Sequence, residues 1–311
     1  MRGQVGRGIR ALVCGALLLG VFAGSAAAAS PDTAGGGPYP TTGEKDPLTP
    51  AQQLIEQQKL AIANQEIAHP GFVSGGARSA SLCPLSLVSV TRSGVAPANF
   101  CEGQYGFVAT RAVEQQYCNW CGVATVQVVS NYAWGTGTSN EYTQAQINSN
   151  WNGLDACLPG QTRGTSTAAE VRALNGAVGG KLPAGFVYSG VIHNGVVTGP
   201  LTGSEWHGYV RTDLSPKYRM PQVVSVSPMD PNLPYVLSTW LAVNAPRQNA
   251  GHWIVIYAWY GVWDGTRAPT VAYDDSGIRR SGGVEGRDPA YDIYKMIKQY
   301  NPQHGTDGVV W

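Results

Sequence analysis

The 311-residue sequence predicts an α+β domain in which helices come first and antiparallel strands follow. Three observations predict it. Helix-start patterns of the Ser/Thr-x-x-Glu/Gln type fall in the first part of the chain, at Thr49, Thr143 and Thr167. β-Branched and aromatic runs of strand length fall in the last third, at Gln222–Val226 and Trp253–Tyr260. Strands and helices do not alternate as they would in a doubly wound sheet, and no internal repeat is visible. With 43% hydrophobic and 13% charged residues, the chain can bury a core suited to one large domain plus an extension.

Taken in order, Met1–Arg10 carries Arg2, Arg7 and Arg10 and no acid, and an apolar run to Ala23 leads into small residues ending near Ala29. Residues 1–29 read as a secretory signal peptide, so the protein is expected to be secreted and its mature form to have no membrane segment. The apolar run is short for a span, and no later stretch approaches about 20 uncharged apolar residues. Cys14 lies inside the run and not at the cleavage site, so a lipid anchor is not expected. Cleavage would leave 18 basic against 20 acidic residues, a net charge of about −2. The scattered Lys and Arg residues give no basic patch for nucleic acid.

Residues 30–80 read as a linker and helical extension or propeptide. Ser30–Asp46 is rich in Gly, Pro, Thr and Ala and lacks apolar periodicity. Thr49 caps a helix over Pro50–Ala68, with Pro50 in its first turn, Gln52 completing the capping box and Pro70 stopping it. Its Gln-rich surface and few apolar positions (Leu54, Ile55, Leu60, Ile62, Ile67) suggest a stalk or pro-segment more than core. Residues 81–311 form the expected compact domain. A helix is predicted from Cys121 to Ala133, and two more after Thr143 and Thr167, the latter ending at Asn175-Gly176. Strands follow over 222–226, 253–260 and, after turn material to Pro269, 270–273. A last helix is expected from Pro289, capped by Asp288, to Tyr300.

Five cysteines remain beyond the signal: Cys83, Cys101, Cys118, Cys121 and Cys157. In an oxidising compartment an odd count leaves one thiol over, a candidate reactive group. Cys121 begins a predicted helix, where the positive end of the helix dipole favours a thiolate. Gln115, six residues upstream, can donate to the oxyanion of a tetrahedral intermediate together with the Cys121 N–H. A thiol nucleophile also needs a base that later protonates the leaving amine. His69, His193, His207 and His304 fall in the extension, in turn-like stretches or in a Gly-rich tail, whereas His252 begins a long apolar strand that would hold its ring rigidly. The third role is an acceptor for the imidazole. Asp274 and Asp275 end the returning strand; because alternate residues face opposite ways, only one can meet the ring, and Asp275 is favoured with Asp274 open.

Gln115, Cys121-Gly122-Val123-Ala124, Gly164-Thr165, Gly251-His252-Trp253-Ile254-Val255 and Asp275 resemble the papain-like superfamily, most of all the bacteriocin-processing double-glycine peptidases and their secreted relatives. The resemblance covers about Val113 to Gly277. It implies a helical lobe whose nucleophile-bearing helix packs on an antiparallel sheet lobe carrying His252 and Asp275, a cysteine peptidase activity on peptide or protein substrates, and no cofactor or metal. It also implies a Cys118–Cys157 disulfide, which leaves Cys83 and Cys101 to pair and Cys121 free. Gly122 stands where papain itself has an aromatic residue. Leader-peptide cleavage is not carried over, because no transporter segment accompanies the domain.

Three rival readings exist. Cys118-Asn119-Trp120-Cys121 is a C-x-x-C and could be a thioredoxin-like redox pair, which a Cys118–Cys121 bond with Cys157 free would reveal. The nine Trp and fifteen Tyr residues would also suit a catalytically silent binding protein of the same shape. A peptidoglycan amidase would keep the chemistry and change the substrate. Zinc and serine signatures such as H-E-x-x-H and G-x-S-x-G are absent from the sequence.

Overall fold

A computed structural model describes residues 34–35, 48–69, 105–117, 119–136, 141–154, 162–190, 201–226, 252–260, 269–276, 284–304 and 308–311. The expected signal peptide, nearly all of the expected 30–46 linker, His193 and the four cysteines Cys83, Cys101, Cys118 and Cys157 lie outside the described residues.

The chain is α+β, with an antiparallel sheet and helices on both of its faces. The helices are α1 (Pro50–Ala68), α2 (Cys121–Trp134), α3 (Gln144–Ile147), α4 (Thr167–Val178), α5 (Gly203–Asp213) and α6 (Ala290–His304). Among the described residues, the strands of this sheet are β1 (Tyr105–Phe107), β2 (Gln222–Val226), β3 (His252–Tyr260), β4 (Thr270–Asp275), β5 (Val284–Pro289) and β6 (Val309–Val310). They lie in the order β5-β4-β3-β2-β6, and β1 pairs with the far half of β3 beyond the end of β2. β3 is buried along all but its last residue because helices cover both faces of the sheet, which is why its sequence reads as a continuous apolar run. One core sets Trp206, Tyr209 and Val210 of α5 and Ile293 and Ile297 of α6 beside Val224, Ile254 and Ile256. The other sets Val123, Val126 and Val129 of α2 and Val171 and Leu174 of α4 beside Val223, Trp253 and Val255. None of the helices among the described residues is long and apolar enough to cross a membrane.

The capping boxes at Thr49 and Thr143 form as the sequence predicts, each hydroxyl accepting from the amide three residues on. α4 differs in its start: Ser166, not Thr167, is the cap, accepting from Ala169 N–H at 3.2 Å, and this turns Glu170 inward. α2 ends at Gly135, whose φ of 68° is the left-handed cap conformation. Near the C-terminus, Val284–Pro289 is a strand paired with β4, so the last helix starts at Ala290; Asp288 accepts from the Tyr273 hydroxyl at 2.8 Å instead of serving as its cap.

α1 is seated on α5 through a face that the apolar pattern conceals. Its buried residues are Glu56, Lys59, Ala63 and Glu66, while Leu54 is 57% exposed. Lys59 Nζ meets Asp213 Oδ1 at 3.1 Å and donates to the Val187 carbonyl at 3.1 Å, over the rings of Phe186 and Trp311. Arg211 Nε meets Glu66 Oε1 at 2.8 Å. Gly208 allows the close approach, since a Cβ there would lie 2.3 Å from Ile67 Cγ1. Helix α5 itself carries a Thr202/Glu205 capping box, a start signal that Gly203 and Gly208 obscured.

Candidate active site

The site sits where the first turn of α2 meets the start of β3 and the end of β4. Cys121 is the first residue of α2, with a free and buried thiol. α2 is apolar nearly all round because it is covered on nearly all sides: every residue from Cys121 to Asn131 is buried. Gly122 follows Cys121 for a steric reason. A Cβ there would stand 2.5 Å from Thr165 Oγ1 and 2.7 Å from Glu170 Oε2, so neither the aromatic residue of papain nor even alanine fits. Thr165 is fixed in turn by its carbonyl, which accepts from Trp253 Nε1 at 2.9 Å, tying the Gly164-Thr165 segment to β3.

His252 and Asp275 come together as the sequence reading favoured. His252 Nε2 lies 2.6 Å from Asp275 Oδ1, and neither side chain has any solvent exposure. The choice between the two aspartates is made by an irregularity in the β3–β4 ladder. Near the hairpin end, Tyr260 pairs with Thr270 and Ala258 with Ala272; past the shift between Ile256 and Ala258, Ile256 pairs with Tyr273 and Ile254 with Asp275. Directly paired residues share a face, so Asp275 shares one with Ile254 and His252, and Asp274 shares the other with Val255. An unshifted ladder would have put Asp274 on the His252 face. Asp275 is thus the diagonal neighbour of His252, within reach of a ring and a carboxylate.

The charge states follow from this geometry. Burial acts to lower the His252 pKa, but the Asp275 carboxylate, through charge and hydrogen bond, and Cys121, hydrogen-bonded to the same ring, outweigh it and raise it to about 10. With Nε2 taken by Asp275, Nδ1 is the nitrogen left to face the sulfur. Asp274 behaves differently: burial, with the negative charges of Glu285 and Asp275, raises it to about 8 against the lowering effect of a Thr110 hydrogen bond. It is a neutral acid near pH 7, unsuited to support an imidazolium.

Gln115 is buried in the same corner. Its backbone N–H donates to the Ser276 carbonyl at 2.9 Å, its Oε1 accepts from the Ser276 hydroxyl at 3.2 Å, and its Nε2 donates to the Tyr117 carbonyl at 2.8 Å. The amide is therefore oriented by the residue next to Asp275, and the second Nε2 hydrogen remains for another acceptor. Thr165 entered the sequence reading only through the resemblance, and Ser276, Thr125 and Glu170 are neighbours to which that reading gave no role. Only Glu170 carried a signal, and its inclusion in a Thr167 capping box pointed it the wrong way. Among the described residues no group of three or more His, Cys, Asp or Glu side chains gathers as a metal site requires. Comparison of the chain with protein families, curated proteins and solved structures found no match.

Proposed function

We propose that the chain is a secreted thiol peptidase of papain-like design, acting on peptide or protein substrates without a cofactor. The observation that carries this reading is the buried 2.6 Å His252–Asp275 contact at the first turn of a helix that begins with a free cysteine. An imidazole whose charged form is favoured to about pH 10 is the partner that a thiolate requires at neutral pH.

In this mechanism Cys121 Sγ attacks the amide carbon, and the oxygen that takes the negative charge is met by the second Nε2–H of Gln115 and the Cys121 backbone N–H. His252 then gives its proton to the leaving amine as the C–N bond breaks, leaving a thioester on Cys121. Water next gives its proton to His252 as its oxygen attacks the thioester, and the returning proton releases the Cys121 thiol and the acid product. Asp275 holds Nε2 throughout, which fixes the ring with Nδ1 toward the sulfur and supports its positive charge.

A peptidyl chloromethyl ketone tests this directly. Mass mapping is expected to find one adduct, on Cys121, formed in the wild type and strongly slowed in His252→Ala. Equal labelling of both proteins, or labelling away from Cys121, sinks the proposal.

A further inference from the structure

Glu170 lies under the first turn of α2 and is wholly buried. Its Oε1 is 2.7 Å from Thr125 Oγ1, and that same hydroxyl is 2.7 Å from the Gly122 carbonyl oxygen. A hydroxyl has one proton, and a backbone carbonyl has none to give. Both short contacts can be hydrogen bonds only if Thr125 donates to Gly122 and accepts from Glu170, and then the carboxyl must carry the proton. Glu170 Oε2 has no hydrogen-bond partner among the described residues. That is tolerable for the carbonyl oxygen of a neutral acid and costly for half of a carboxylate. The surroundings agree: burial drives the Glu170 pKa well above the ordinary carboxylate range, and Cys121 adds to the shift against the opposing Thr125 bond. The titratable groups that face it are Cys121 on α2 and Tyr188 beyond α4, and a negative charge here would act against ionisation of either.

We propose that protonated Glu170 is a positioning residue for Cys121: its O–H closes a Glu170–Thr125–Gly122 chain that locks the first turn of α2 without setting a second negative charge beside the nucleophile. This rests on the thiol-hydrolase reading of Cys121. An ionised Glu170 would recruit the Thr125 proton for itself, release the Gly122 carbonyl and repel the thiolate. Glutamine can replace the acid, because its Nε2–H donates to Thr125 in the same place. Alanine cannot.

The test uses the purified protein and its Glu170→Gln and Glu170→Ala variants, with helix content checked by circular dichroism. Difference infrared spectra at neutral pH are expected to show a protonated-carboxylic-acid carbonyl band in the wild type that Glu170→Gln lacks. The rate of Cys121 alkylation by iodoacetamide should stay within about threefold of wild type in Glu170→Gln and fall about tenfold or more in Glu170→Ala, the worth of one hydrogen bond. If Glu170→Ala does not fold, the infrared band and the glutamine variant decide. Absence of the acid band, a glutamine variant markedly slower than wild type, or an alanine variant as fast as wild type overturns the proposal. If the wild type cleaves no peptide yet alkylation still follows Glu170 in this way, the hydrolase reading fails and the positioning role stands.

Discussion

Lys59 and Asp213 meet at 3.1 Å between α1 and α5, and His252 and Asp275 meet at 2.6 Å beside α2; all four side chains are fully buried. Burial opposes charge in both pairs, but the outcome differs. Burial lowers Lys59 to about 8 and raises Asp213 to about 6, so each partner is drawn toward neutrality despite the other's charge. At His252 burial also opposes the charge, but Asp275 and Cys121 together overcome it and raise the ring to about 10. The difference lies in what surrounds each cation. Lys59 is held by a carbonyl and two aromatic faces, and its pair is a joint between helices. His252 has the Asp275 carboxylate at Nε2 and Cys121 beside the ring, and both favour its charged form.

The largest expected effect falls on the site. Replacing His252 with Ala should lower peptide hydrolysis by about 10²–10⁴-fold with helix content unchanged, measured as kcat/KM beside a circular dichroism spectrum. The joint should answer in stability. Lys59→Met leaves Asp213 buried without its partner and should cost about 3–5 kcal/mol in urea unfolding, less where Asp213 takes up a proton, while kcat per folded molecule is unchanged. A loss of kcat in Lys59→Met with full stability would break the distinction between the two pairs.

Asp275→Asn, which keeps a hydrogen-bonding side chain and removes the charge, should reduce hydrolysis by about 10–100-fold. Asp274→Asn should leave hydrolysis near wild type, because that side chain lies on the other face of β4. If Asp274→Asn proved the more damaging of the two, the shifted register could not be what selects the acceptor.

The smallest effects are in pH dependence. Folded His252 holds its proton more tightly than an ordinary imidazole at 6.5, so its contribution is fully present below about pH 6.5 and is lost as pH rises through about 10. The stability advantage of wild type over His252→Gln should therefore shrink between pH 7 and 10. Folded Lys59 releases its proton near 8 and the unfolded lysine near 10.5, so its part in the folded state improves with pH across that window. Unfolding midpoints against Lys59→Met should show this opposite slope.

Much of the site was legible because it rests on local rules. A cysteine opening an apolar helix, a histidine opening an apolar strand and an aspartate closing the next one are each visible at a single position. The identity of the aspartate was less so, since it depends on one shift of register between Ile256 and Ala258 that no residue type announces. α1 illustrates the other limit. Its buried face, Glu56, Lys59, Ala63 and Glu66, has helical spacing but is polar, so a search for apolar periodicity reads the helix as a stalk. Glu170 escaped for a similar reason: a competing cap at Ser166 shifted the start of α4 by one residue and turned a surface glutamate into a buried one.

If Cys121 is the nucleophile of a peptide-bond hydrolase, a peptide-library digest with the purified protein beside Cys121→Ala will reveal it. New peptide termini are expected with the wild type and none with Cys121→Ala at equal helix content. Identical digestion by both proteins, or none by either, would contradict it.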